Sequence, residues 1–306
     1  MKYLIGINCG GTKTDFVAAD SNLKIKYRGQ AHACNLKKAG MESAVSVIND
    51  IMSEITTTAK IKTENILGIC AGIAGAGRSE DAETLKYKVM EALESGFKIT
   101  FPVIITTDAI ITLEGAFNGK EGAVLISGTG SIIYAKDSKD IFYRAGGYGR
   151  VIGDEGSGYS IGRRGLAAAG KLFDSRGKDN LLAKMLKENF EVTTGEELIA
   201  KIYSHTFEPQ DFAPFVIKAA EAKDEIAMNI IEEESDELVL HIKAIKNYFE
   251  NKFNLCLSGG IIATDNYFSK MVKEKIKSRF PNVEIVKQAH PPETGAVLLL
   301  KKKIGM

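Results

Sequence analysis

Leu4-Ile5-Gly6-Ile7-Asn8-Cys9-Gly10-Gly11-Thr12-Lys13-Thr14-Asp15-Phe16-Val17 is the stretch from which the rest of the fold follows. An apolar run enters a Gly-Gly turn and leaves as a second, alternating run, which predicts strand, loop, strand. The two glycines remove Cβ atoms at the reversal, so backbone N–H groups can approach a ligand closely. Thr12 and Thr14 add hydroxyl donors beside those amides, and Lys13 adds charge. Convergent donors of this kind suit phosphate, although a plain hairpin turn accounts for the same residues about as well. A second copy tips the balance. Ala123-Val124-Leu125-Ile126-Ser127-Gly128-Thr129-Gly130-Ser131-Ile132-Ile133-Tyr134 repeats the plan, with Thr129 and Ser131 standing where Thr12 and Thr14 stand.

A chain of 306 residues suits two domains, each able to bury a core. Apolar content of 44% and charged content of 26% are those of a globular protein in water. A net charge of +1 argues against a dedicated nucleic-acid surface. The basic run Lys301-Lys302-Lys303 suits the end of a helix, where it complements the dipole. Cys9, Cys34, Cys70 and Cys256 lie far apart with no C-x-x-C pair, which predicts neither a zinc nor a disulfide framework and fits a reducing compartment. Met1 leads straight into a strand, leaving no room for a signal peptide, and no apolar run reaches membrane-spanning length. A cytoplasmic protein is expected, with no membrane and no nucleic-acid partner.

Working outward, strands are expected near 2–8, 13–20 and 24–31, opening the fold as an antiparallel meander. A helix over 40–59, a strand over 66–71 and a helix from Ser79, its cap, to about 95 follow. A buried strand over 102–107 ends at Asp108, and a helix over 109–118 closes in Asn118-Gly119. Alternation of this kind predicts a mixed sheet with helical crossovers. The second half carries strands near 122–127, 131–136 and 141–145, a helix over 155–172 and a mainly helical stretch over 178–251. Strands near 254–257 and 283–286 and helices over 265–279 and 292–303 end the chain. The expected domains are 1–118, with helix 292–303 packing back on it, and 119–291 with its helical insertion.

Two common nucleotide motifs fail. Gly6 and Gly11 match the Walker A glycine spacing, but Thr12 occupies the lysine position and the loop leads into a strand instead of a helix. The G-x-G-x-x-G pattern is missing. The remaining option is phosphate held by amides and hydroxyls of two hairpin loops, 10–12 and 128–131. Ser258-Gly259-Gly260 has the short strand-to-helix shape on which a planar base can lie, or is simply a tightly packed helix start. Asp108, at the end of a buried strand, is the candidate base, able to take a proton from a sugar hydroxyl as that oxygen attacks phosphorus. An N-cap role for it is equally open. Between Gly146 and Tyr159 the chain packs glycines with Asp154, Glu155, Tyr148 and Tyr159, and Asp154 can accept hydrogen bonds from a substrate's hydroxyls. His32, His205, His241 and His290 show no ligand spacing and are expected at the surface or in satisfied polar positions.

In order, the Gly-Gly-Thr hairpin, the Thr-Thr-Asp strand end, Ser-Gly-Thr-Gly-Ser, Gly-Asp-Glu-Gly-Ser and the late Ser-Gly-Gly resemble the N-acetylglucosamine kinase branch of the BadF/BadG/BcrA/BcrD ATPase family. That family lies within the actin, sugar kinase and Hsp70 superfamily. The resemblance covers nearly the whole chain except about 175–250. It implies an α/β fold of two ribonuclease-H-like (actin-like ATPase) domains around an ATP cleft. It also implies ATP and Mg²⁺ as cofactors, and phosphorylation of the 6-hydroxyl of N-acetylglucosamine or N-acetylmuramic acid in amino-sugar salvage or cell-wall recycling. Glucosamine or another hexose is the alternative acceptor. Gly10, Gly11, Thr12, Lys13, Gly128 and Thr129 would meet the phosphates, and Gly259 and Gly260 the adenosine. Asn35, Asp108, Ser131, Gly147, Tyr148 and Asp154 would hold the sugar, with Asp108 as base. Asn8 stands where the superfamily usually has a carboxylate, so Asn8 and Asp15 would reach a metal only through water. Tyr148 replaces the bulkier tryptophan of animal relatives, leaving room near the sugar, and Arg150 or Lys37 could supply a cation for a lactyl carboxylate. A homodimer is common among such relatives.

Two rivals follow from the same family. An ATP-driven electron-transfer activator needs cluster-ligating cysteines in the central part of the chain, and none occurs between Cys70 and Cys256. A sugar sensor without turnover would not need Asp108, and no DNA-binding segment precedes Met1 in this sequence.

Overall fold

The computed structural model describes residues 1–306 except Thr12 and Ile99, and except the side chains of Lys37 and Lys38. The chain divides into two compact units, Met1–Glu121 with Lys287–Met306, and Gly122–Val286.

In the first unit, β1 (Tyr3–Cys9), β2 (Thr14–Ala19) and β3 (Ile25–Ala31) form an antiparallel meander. The chain then crosses by α1 (Leu36–Thr57) to β4 (Ile66–Ile73), and by α2 (Ser79–Phe97) to β5 (Val103–Thr106). Both β4 and β5 run parallel with β1, giving the order β3-β2-β1-β4-β5. A parallel pair needs such a crossover, whereas an antiparallel pair can close through a tight turn. Pleating sends alternate residues of β1 to opposite faces. Ile5, Ile7 and Cys9 join Ile48, Met52 and Leu85 in one core, while Leu4 joins Val17, Cys70 and Ile111 in the other. The second core is roofed by α3 (Asp108–Ala116) and α10 (Pro292–Lys303). These two helices approach so closely that a Cβ on Gly295 would lie 1.9 Å from the Ile111 carbonyl oxygen.

The second unit repeats this plan. β6 (Gly122–Ser127), β7 (Ser131–Lys136) and β8 (Phe142–Gly146) form the meander, and β9 (Phe253–Ser258) and β10 (Val283–Val286) add parallel strands. The order is β10-β9-β6-β7-β8. Between β8 and β9 run α4 (Gly158–Phe173), α5 (Leu181–Phe190), α6 (Gly195–Tyr203), α7 (Pro209–Glu221) and α8 (Glu225–Ile245), and α9 (Tyr267–Arg279) links β9 to β10. Their apolar faces close one core over the sheet, with Leu125, Ile133, Ile161, Phe212, Leu238 and Phe268 inside it. Two mixed sheets flanked by helices are therefore observed, as the strand pattern requires. No helix among the described residues is long and apolar enough to cross a membrane.

Several element ends differ from expectation for capping reasons. The helix expected over 155–172 begins only at Gly158, because the Ser157 hydroxyl accepts the Ser160 amide as N-cap. Ser79 is the first helical residue of α2 and not its cap; Arg78 holds that position without a side-chain bond. The helix expected from residue 40 starts at Leu36 and is broken by Gly40, whose φ of 79° is non-helical.

Candidate functional site

In the first unit, Cys9 pairs with Thr14 across β1 and β2, and the Gly10 amide donates to the Lys13 carbonyl at 3.0 Å, closing the hairpin. Gly11 opens to free space, with nothing within 4 Å of where a Cβ would stand. Thr12, expected among the phosphate contacts, lies outside the described residues. The Thr14 hydroxyl is turned away from the loop: it is fully buried and donates to the His32 carbonyl at 2.6 Å. That bond and the Cys34 amide, which donates to the Gly10 carbonyl at 3.3 Å, fasten the segment carrying Asn35 to the glycine turn. Lys13 is ion-paired with Asp15 at 3.1 Å, and Gln30 donates to the same carboxylate at 2.7 Å.

Asp108 opens α3 beyond the end of β5, in the same unit. Thr107 caps the helix, its hydroxyl accepting the Ile110 amide at 3.2 Å, so Asp108 is released from the capping duty its position suggested. Its Oδ1 accepts its neighbour's amide, Ala109, at 3.0 Å. Burial raises its pKa above the ordinary carboxylate value, opposed by that amide. No cation pairs with it among the described residues. Cys9, the last residue of β1, is held protonated chiefly by its contact with Cys34, and the charge on Asp108 acts in the same direction.

In the second unit, Ser127 and Ser131 close the β6–β7 turn, and the Gly128 amide donates to the Gly130 carbonyl at 3.0 Å. Two neighbouring loops are sewn to this turn. The Gly128 and Thr129 carbonyls accept the Gly158 amide at 2.7 Å and the Tyr159 amide at 3.2 Å from the start of α4. The Ser127 carbonyl accepts the Ile261 amide at 3.1 Å from the loop after β9. Gly259 in that loop has φ 99°, and a Cβ there would lie 2.4 Å from the Ser127 carbonyl oxygen. The expected phosphate and adenosine glycines are therefore neighbours: a Cβ on Gly128 would stand 3.8 Å from the Gly260 nitrogen.

The expected sugar residues meet on the other flank of the same turn. The Ser131 amide donates to Asp154 at 3.3 Å, its hydroxyl donates to the Glu155 carbonyl at 2.6 Å, and its carbonyl accepts the Gly147 amide at 3.0 Å. Asp154 adopts a left-handed φ of 63°, and its carboxylate lies 2.9 Å from where a Gly130 Cβ would be. Burial raises its pKa, the Ser131 amide opposes this, and the adjacent Glu155 reinforces it. Tyr148 is exposed, with the Arg144 guanidinium 5.9 Å from its ring centroid. Arg150 is engaged elsewhere, 3.6 Å from Glu208 and 5.6 Å from the Tyr159 ring centroid.

Two residues central to this arrangement, Glu234 and His241, carry no local signal. Glu234, 3% exposed, accepts the Gly156 amide at 2.6 Å, the Ser160 hydroxyl at 2.8 Å and Arg164 at 3.1 Å. Ser127 donates to the Gly156 carbonyl at 2.7 Å. His241, expected at the surface or satisfied, is buried, and its Nε2 has no partner among the described residues. Its ring fills the space where a Gly146 Cβ would stand. Glu234 sits in Glu232-Glu233-Glu234, which reads as a solvated helix face. Among the described residues, Gly10, Gly11, Lys13, Asn35 and Asp108 belong to the first unit, and Gly128, Thr129, Ser131, Gly147, Tyr148, Asp154, Gly259 and Gly260 to the second. Among the described residues no group of three His, Cys, Asp or Glu is placed to hold a metal ion.

Comparison with known proteins adds to this geometry. The BadF/BadG/BcrA/BcrD ATPase family matches residues 5–299. The chain is 30% identical over 309 residues to the N-acetylmuramic acid/N-acetylglucosamine kinase of Clostridium acetobutylicum, covering 99% of each chain. It is 33% identical over 314 residues to the N-acetyl-D-glucosamine kinase of Dictyostelium discoideum, covering 97% of each. Among solved structures, a Chromobacterium violaceum protein assigned as an N-acetylglucosamine kinase matches with a TM-score of 0.78 at 22% identity, over 98% of this chain and 99% of that one.

Proposed function

Because the chain belongs to the BadF/BadG/BcrA/BcrD ATPase family, we propose that it is an ATP-dependent amino-sugar kinase. It transfers the γ-phosphoryl group to the 6-hydroxyl of N-acetylglucosamine and accepts N-acetylmuramic acid as a second substrate. One observation carries the chemistry. Asp108 is a half-buried carboxylate with a raised pKa, no cation of its own among the described residues and a capping role handed to Thr107. Such a group is poised to take a proton from an alcohol as its oxygen attacks phosphorus. A carboxylate paired with a lysine or arginine would be a weaker base.

The other residues are given supporting roles. Gly11, Thr12 and Lys13, and Thr129, present donors to the phosphates, while Gly10 and Gly128 spend their amides closing the two turns. Gly259 and Gly260 supply flat backbone for adenosine. Asn35, Ser131, Gly147, Tyr148 and Asp154 orient the sugar. Mg²⁺ finds no cage of its own among the described residues. Asn8 is neutral, and Asp15 is held by Lys13 and Gln30. The metal is assigned to the nucleotide, entering as the counter-ion of the triphosphate. A cytoplasmic homodimer completes the proposal.

A phosphorylation screen with ATP and magnesium over N-acetylglucosamine, N-acetylmuramic acid, glucosamine and glucose tests it. The N-acetylated sugars are expected to turn over fastest, and Asp108→Asn to cost about 10²–10⁴ in kcat, the usual worth of a general base. Activity within about tenfold of wild type would remove Asp108 from that role. Light scattering tests the dimer.

A further inference from the structure

We propose that Arg144 is the residue that recognises the carboxylate of an acceptor carrying an acidic ether, the 3-O-lactyl group of N-acetylmuramic acid. The inference rests on the amino-sugar kinase reading and deepens it. N-acetylglucosamine is neutral, whereas its lactyl ether carries one negative charge at neutral pH. The residues proposed to hold the sugar include Asp154, and Glu155 adjoins it. An anionic acceptor there meets like charge unless a cation offsets it.

Two arginines lie on the segment that carries Gly147 and Tyr148. Arg150 is committed, since Glu208 lies 3.6 Å away and the Tyr159 ring lies beneath its guanidinium. Arg144 has no carboxylate partner among the described residues. Its guanidinium stands 5.9 Å from the centroid of Tyr148, a residue already assigned to the sugar. Strand register fixes where it can be. Arg144 pairs with Tyr134 across β7 and β8, while its neighbours Tyr143 and Ala145 turn to the core. It therefore stays exposed on the sheet face away from that core. The cation–π contact with Tyr148 engages the charge of the guanidinium and consumes none of its N–H donors. That planar fork matches the two oxygens of a carboxylate. Arginine also keeps its charge at every physiological pH.

The test compares kcat/KM for N-acetylglucosamine, N-acetylmuramic acid and the uncharged methyl ester of the latter in wild type, Arg144→Gln and Arg144→Lys. Arg144→Gln is expected to lose about 10- to 100-fold with N-acetylmuramic acid, mainly through KM, the usual worth of a hydrogen bond to a charged group. Its losses with N-acetylglucosamine and with the ester should each be about tenfold smaller, and Arg144→Lys should recover part of the selectivity. Equal losses on all three sugars, or no loss with N-acetylmuramic acid, overturn the proposal. Wild type that phosphorylates N-acetylglucosamine but not N-acetylmuramic acid overturns it too, while leaving the kinase reading standing. Phosphorylation of neither removes both.

Discussion

Glu234 on α8 accepts the amide of Gly156 at 2.6 Å, so a helix far along the chain holds the loop that bears Asp154. The same carboxylate takes the Ser160 hydroxyl and the Arg164 guanidinium. A buried carboxylate is tolerable only when its lone pairs are filled in this way. Leu238, one turn on, packs where a Gly156 Cβ would stand, and His241 does the same beneath Gly146. One stripe of α8 thus supports both ends of the loop from Gly146 to Gly156.

Removing that carboxylate strands its partners. Glu234→Ala should lower stability by about 3–5 kcal/mol, because a half-buried arginine loses its better-buried partner and two buried donors are orphaned. Glu234→Gln, which keeps the shape but loses the charge, should cost less. Urea denaturation of both variants reads the difference; equal stability of Glu234→Ala and wild type would show the network to be idle.

The proposed base, Asp108, carries a stability cost. Its pKa is raised in the folded state by burial, so folding disfavours its ionised form. The stability linked to this group is fully present below the ordinary carboxylate pKa and is lost as pH rises through the raised folded value. Asp108→Asn should therefore be more stable than wild type at pH 7, with the gap shrinking as the pH falls through the carboxylate range. Urea midpoints measured from neutral to acidic pH check this, and a constant gap would contradict it.

Two adjacent glycines should behave differently. Gly259 is left-handed, with a would-be Cβ pressed on the Ser127 carbonyl, whereas Gly260 faces open space. Gly259→Ala should cost about 1–3 kcal/mol from backbone strain, and Gly260→Ala close to nothing. If Gly260 lies against adenosine as proposed, its alanine variant should raise the KM for ATP while folding normally. An unchanged KM would take it out of the nucleotide contacts.

The four buried thiols should differ in reactivity. Burial pushes the Cys70 thiol far up and that of Cys256 up to about 11, so neither should be alkylated in the native protein at pH 8. The contact with Cys9 lowers Cys34 against the opposing effect of burial, so Cys34 should react first. Peptide mapping after short iodoacetamide exposure gives the order, and native labelling of Cys70 ahead of Cys34 would refute it.

Much of the architecture is written locally. The alternation in Leu4-Ile5-Gly6-Ile7 places successive side chains on opposite faces whatever packs there, and Gly-Gly or Gly-Thr-Gly turns reverse the chain over a few residues. Both meanders, the helical crossovers and the strand-end place of Asp108 follow from patterns five to twenty residues long. The support that α8 gives to the loop from Gly146 to Gly156 does not. Glu234 meets Gly156 across 78 positions, and a Glu-Glu-Glu run looks solvated until α8 packs against the sheet. His241 is likewise ordinary until Gly146 takes a left-handed turn above it. Whether Thr107 or Asp108 caps α3 also escapes the pattern, since both residue types cap well and only the path of the chain leaving β5 separates them. Short-range backbone preference settles which elements form and where glycine turns fall. Long-range burial settles which carboxylate is filled with donors, as Glu234 is, and which is left without a cation among the described residues, as Asp108 is.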